Sequence, residues 1–113
     1  PMSGQQVQDW VLQHELMPVL SAMHDSINKL VWELARTKQA HSHIRAQWES
    51  VRERRFRGGD NNGPDHYETN LQLVIAHVGQ LAADQEQDLE RRTERYRRFR
   101  SLCTSGDASP AAP

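Results

Sequence analysis

A chain of 113 residues holds one domain at most, and its 36% hydrophobic content falls below the roughly 45–50% of compact globular domains. That excludes a thick core around a deep pocket and favours an elongated bundle with one narrow apolar seam. The formal net charge is −1, yet twelve of the fourteen basic residues are arginine. Arginine's planar donor fork suits carboxylates, phosphates and aromatic faces, although a GC-rich genome would produce the same bias.

No apolar run approaches the roughly 18 residues that a membrane span needs, and no secretory n-region and h-region open the chain. Pro1 ahead of Met2 reads as a cloning remnant and is set aside. Cys103 is the single cysteine and cannot close an internal disulfide. An intracellular setting, cytoplasmic or nuclear, is expected from these features.

Residues 4–17 read as a short amphipathic helix, with Val7, Trp10, Val11, Leu12 or His14, and Leu16 at helical spacing. Pro18 then removes a backbone donor and crowds the preceding turn. It either kinks one long helix at Met17-Pro18 or opens a second helix from its first turn. From 19 to 57 no Gly or Pro interrupts a long helix, which Gly58-Gly59 should end. Residues 58–65 are dense in turn formers, and Asp65 is a candidate N-cap with Glu68 at the capping-box spacing. A second long helix runs to about Leu102. Residues 103–113 are small, polar and proline-bearing, the composition of a disordered tail.

The strongest pattern is a pair of heptad series. Leu16, Leu20, Met23, Ile27, Leu30, Leu34, Thr37, His41, Ile44, Trp48 and Val51 follow one another in steps of 4 and 3. Leu71, Ile75, Val78, Ala82, Gln85, Leu89, Arg92, Tyr96, Phe99 and Cys103 do the same. When facing residue numbers sum to 122 or 123, Val51 meets Leu71, Trp48 meets Ile75 and Ile44 meets Val78, with the midpoint at Asp60 to Gly63. The predicted fold is therefore all-α: a long antiparallel coiled-coil hairpin over 18–102 with a Pro-kinked N-terminal helical extension, completing a three- or four-helix bundle.

Three features exceed a self-contained hairpin. The mirror rule pairs Leu16 with residue 106, in the tail, so Val7, Trp10, Val11, Leu12 and Leu16 have no facing partner. Exposing them forfeits roughly 1.5–3 kcal/mol per large side chain. The segment should fold back as a third helix, pair with a second copy or dock on another protein. The apolar stripe is also wider than an a/d seam, because Val19 falls at g, Val31 at e, Trp32 at f, and Val74 and Leu81 at g. Finally, Thr37, His41, Ala82 and Gln85 form a polar interruption. It reads as a register pin, with a pH-sensitive or ligand-contacting site at His41 as the alternative. Beside it, Lys38 and Glu86 fall at facing e positions, while Glu33 and Asp88 face each other at g unless Arg95 neutralises them.

No catalytic constellation emerges. The six histidines include no i, i+4 pair, and zinc, di-iron and phosphate-loop spacings are absent. No enzyme activity, cofactor or metal is expected. The run Arg91, Arg92, Arg95, Arg97, Arg98 and Arg100 interleaves aromatics, as a phosphate-backbone or acidic-partner contact would need. Tyr96 and Phe99 are seam residues, however, and cations near a helix C-terminus are favoured by the dipole alone. The expected function is a non-enzymatic protein–protein interaction module, a scaffold, adaptor or assembly subunit that meets helical or acidic partners and forms a homo-oligomer, in particular a dimer. Its interface would comprise Val7, Trp10, Val11, Leu12, Leu16, Val19, Val31 and Trp32. Nucleic-acid binding through the arginine run is the alternative, and a helical secretion chaperone or regulator is a weaker one.

Overall fold

The computed structural model describes residues 3–59 and 62–104. Among them the chain forms α1 (Gly4–Val11), a π-helical turn (Leu12–Leu16), α2 (Met17–Arg57) and α3 (His66–Thr104), and no strand. The two long helices pack as a hairpin, the all-α architecture expected from the heptads. The expected turn midpoint at Asp60-Asn61 and the expected tail from Ser105 onward lie outside the described residues.

Each helix boundary has a local cause. α1 opens on a complete capping box: Gln6 N–H donates to Ser3 Oγ at 3.1 Å, and Ser3 N–H donates to Gln6 Oε1 at 2.8 Å. α2 closes at the glycine pair, where Gly58 N–H donates to the Arg54 carbonyl at 3.0 Å and Gly59 takes a φ of 77° that side-chain-bearing residues avoid. Asp65 caps α3 as expected, its Oδ1 accepting from Glu68 N–H at 2.8 Å. The second arm of that capping box does not form, because the Glu68 carboxylate turns to Arg55 instead.

Passage through Pro18 settles which of the two readings of the N-terminal segment holds. The helical path runs on from α1 into α2 through the π turn, with Pro18 as the second residue of α2. Proline has no N–H to offer the carbonyl four residues back, and its ring crowds that carbonyl. The widened turn absorbs the conflict, with Met17 N–H donating to the Leu12 carbonyl five residues back. The extra residue also shifts the heptad. A strict series would place Gln13 on the seam before Leu16, whereas Leu12 is the half-buried residue and Gln13 is exposed.

The segment therefore does not fold back as a third helix. It also has a facing partner that the sequence did not supply. α3 continues through Cys103 and Thr104, two residues beyond its expected end, with Thr104 Oγ1 donating to the Arg100 carbonyl at 2.9 Å. Leu12 and Leu16 share a shallow groove with Leu102, Cys103 and Thr104.

The helices gather into two compact units, one of residues up to Val31 with those from Asp88 on, the other Trp32–Gln87. In the first unit, Leu20 and Leu30 are buried, and Leu16, Met23, Ile27, Leu89, Arg92, Tyr96, Phe99 and Cys103 are half-buried. Arg92 is accommodated on the seam by hydrogen bonds to Ser26 Oγ at 2.8 Å and to Asp88 Oδ2 at 2.8 Å. Asp88 is thus neutralised by Arg92 of its own helix, and Arg95 is not its partner. In the second unit, Leu34 is buried and the remaining a and d positions from Thr37 to Val51 and from Leu71 to Gln85 are half-buried. The expected Lys38–Glu86 pair forms there at 2.6 Å. Both side chains stay about half exposed, so the pair is worth less than about 1 kcal/mol and adjusts register without deciding it.

Candidate functional site

The polar interruption of the second unit is built differently from a cross-helix hydrogen-bond layer. Thr37 Oγ1 donates to the Glu33 carbonyl of its own helix at 3.0 Å. Gln85 Oε1 is buried without a hydrogen-bond partner among the described residues. No hydrogen bond joins Thr37, His41 and Gln85. What admits His41 is a residue the heptads pass over. A Cβ on Gly79 would stand 3.2 Å from His41 Nε2, closer than ordinary contact. Glycine within a helix costs about 1 kcal/mol relative to alanine, so Gly79 exchanges helix propensity for imidazole space. Gly79→Ala should therefore gain clearly less stability in the native background than in a His41→Ala background, as read by urea unfolding. Equal gains would show that His41 does not need the space.

The same unit contains a charged layer that sequence reasoning missed. Glu68 is the most buried described side chain, at 1% relative exposure. It accepts from Arg55 Nε at 2.7 Å, with the two side chains 2% and 10% exposed. Extending each heptad series by one step reaches Arg55 and Glu68, and their numbers sum to 123 like the other layers. The signal was present, but both residues read locally as something else, a C-terminal cation and a capping-box acid. Around the pair, Arg55 lies over the Phe56 ring at 4.5 Å, and Arg52 stands between Trp48 and Phe56 at 5.3 and 5.4 Å. Trp48, Arg52, Phe56 and Pro64 line a shallow groove beside Glu68, and Trp48 Nε1 has no hydrogen-bond partner among the described residues.

The expected partner-facing residues separate into distinct sets. In the first unit, Val7 and Trp10 of α1 are each 47% exposed and Val11 is 37% exposed. Trp10 stacks on His14 with ring centroids 4.8 Å apart, and His14 Nδ1 lies 3.0 Å from the Trp10 carbonyl. Leu12 and Leu16 differ from them, being half-buried against the last turn of α3. Val19 and Val31 are exposed at g and e, on opposite flanks of the seam. Trp32, at 73% exposure, belongs to the second unit.

The arginine run divides as well. Arg92 is engaged within the seam. Arg97 and Arg98 both pair with Glu94, at 3.4 and 3.0 Å. Arg91, Arg95 and Arg100 make no ion pair among the described residues. Tyr96 and Phe99 are half-buried in the seam, Tyr96 with its ring 5.9 Å from that of His24.

Among the described residues no group of three or more His, Cys, Asp and Glu side chains is placed to hold a metal ion, and no helix is long and apolar enough to cross a membrane. No protein-family model matches the chain, and no curated protein or solved structure matches it significantly.

Proposed function

We propose that this chain is a non-enzymatic protein–protein interaction module, a scaffold, adaptor or assembly subunit that works through the exposed face of its N-terminal helix. The observation that carries the reading is the exposure of Val7, Trp10 and Val11. Capping at Ser3 and the π turn before Pro18 hold this face in a fixed helix, so it is presented already ordered. A preformed helix avoids the ordering cost that a disordered segment meets on binding, and an aromatic anchor flanked by aliphatic side chains is a common centre of binding energy. Full burial of a large apolar side chain is worth roughly 1.5–3 kcal/mol, and a partner would recover the part that the present exposure of these side chains forgoes.

The test is a comparative capture from a lysate of the source cells. The full chain should retain partner proteins that a Val7→Ser/Trp10→Ser/Val11→Ser variant loses, with the circular dichroism of the two proteins superimposing. Retention of the same set by both would refute the reading.

A second reading, contact with nucleic acid, is favoured by the lack of ion pairs at Arg91, Arg95 and Arg100 among the described residues. The half-burial of Tyr96 and Phe99 counts against it, since neither ring is free to stack on bases.

A further inference from the structure

Within the second unit the two flanks of the seam differ in character. On the flank of the e positions, Lys38 and Glu86 pair at 2.6 Å, and the other e residues are Arg45, Arg52, Gln72 and Gly79. That side is polar, and its carboxylate is already met. On the flank of the g positions, Gln47 Nε2 donates to Tyr67 Oη at 2.9 Å from one helix to the other. Between Glu33 at one end and Arg54 at the other, this side presents Ala40, Val74 and Leu81, with Leu81 49% exposed. Glu33 and Arg54 are both exposed, and neither makes an ion pair among the described residues. Arg54 reaches only Ser50 Oγ, at 3.4 Å.

We propose that the g flank of this unit is a self-association surface, and that its occupant is a second copy of this chain packed antiparallel about a two-fold axis. The axis lies across the helices, so α2 meets α2 of the second copy and α3 meets α3. The placement of the charges favours this arrangement. Glu33 and Arg54 stand 21 residues apart, with their midpoint between His43 and Ile44. Val74 and Leu81 are one heptad apart, with their midpoint between His77 and Val78. Ile44 and Val78 belong to one layer of the seam, so a single axis serves both helices. It sets Glu33 on Arg54 of the second copy and Leu81 on Val74 of the second copy, and makes each contact twice. The acid and the base, unpaired within one copy, then neutralise each other across the axis. Such exposed charges set orientation and partner choice, while the apolar centre supplies the contact that excludes water.

The other charges on this side are compatible with the same axis. Arg36 falls near Ser50 of the second copy, and Arg57 is held by Glu53 at 2.6 Å. Asp84 accepts from Gln80 Nε2 at 2.9 Å and falls near Asn70 of the second copy. His43 and His77 lie beside the axis, each opposite its counterpart. A two-fold axis parallel to the helices would instead set Arg54 against Tyr67 and Leu81 against Ala40, without bringing Glu33 and Arg54 together. This surface is separate from the exposed face of α1 and does not depend on it.

Charge exchange tests it by sedimentation equilibrium of the full chain. The native chain should be dimeric. Glu33→Arg sets an arginine against Arg54 of the second copy, and Arg54→Glu sets a glutamate against Glu33. Either variant alone should weaken self-association by at least about tenfold. Mixed one to one, the two variants should form a heterodimer, and Glu33→Arg/Arg54→Glu in one chain should recover the native homodimer. Leu81→Ser should also weaken the dimer, whereas Val7→Ser/Trp10→Ser/Val11→Ser should leave it intact. Glu33, Arg54 and Leu81 are at exposed helix positions, and circular dichroism checks that the helices persist. A native chain that stays monomeric, a dimer indifferent to both charge variants, or a mixture that does not associate would overturn the proposal. So would a dimer lost in the α1 variant and retained in Leu81→Ser. The α1 reading keeps its own capture test, so the two can fail separately.

Discussion

Arg55→Met is expected to destabilise the hairpin by about 3–5 kcal/mol, the largest effect of any single substitution outside the apolar core. Its target is the most buried described side chain, Glu68, whose carboxylate is met by Arg55 Nε at 2.7 Å. Removing the guanidinium leaves that carboxylate buried without the group that meets it, and its desolvation cost then falls on the folded state. The loss does not measure the worth of the pair. Arg55→Met/Glu68→Leu removes both charges together and should return to native stability or exceed it by about 1–4 kcal/mol. Urea unfolding of the native chain, the single variant and the double variant separates the two quantities. A single variant within about 1 kcal/mol of native would mean that water reaches the Glu68 carboxylate and that its burial costs little in the folded state.

Leu30→Ala is expected to cost about 2–5 kcal/mol, the range for truncating a fully buried leucine. Leu30 is 3% exposed, and Leu20 is the other fully buried apolar residue of the first unit. With so few buried leucines, neighbouring side chains have little means of closing the void. The loss is a large part of the roughly 5–15 kcal/mol that folded domains possess. Trp32→Ser is the control, since an apolar residue of larger size at 73% exposure should move stability by no more than about 0.5 kcal/mol. If the two substitutions cost the same, the seam is not where the chain buries its apolar surface.

The seam itself could be read from the sequence, because a period of 3.5 sustained over many turns has few physical meanings. From Leu16 to Val51 and from Leu71 to Cys103, every a and d position is buried or half-buried. The Lys38–Glu86 pair followed from the same register. What stayed hidden depends on particular neighbours. Gly79 looks like a helix defect until the His41 ring is placed beside it. Leu12 replaces Gln13 on the seam only because a π turn relieves Pro18, and a one-residue shift of that kind has no periodic signature. Arg55 and Glu68 satisfied the mirror rule, yet local chemistry offered each a simpler role at a helix terminus. The partner-facing residues were the least legible. Apolar spacing marks Leu12 and Val7 alike, and only the placement of the last turn of α3 separates the half-buried one from the exposed one.

The layer-by-layer register decides which side chains the chain covers itself and which remain for a partner. Pairwise cysteine cross-linking in a Cys103→Ser background tests it most directly. Ile44→Cys/Val78→Cys should oxidise rapidly and completely to an intramolecular disulfide, whereas Ile44→Cys/Ala82→Cys, one helical turn out of register, should remain reduced under the same conditions. Preferential oxidation of the second pair would contradict the register and with it the assignment of the exposed face.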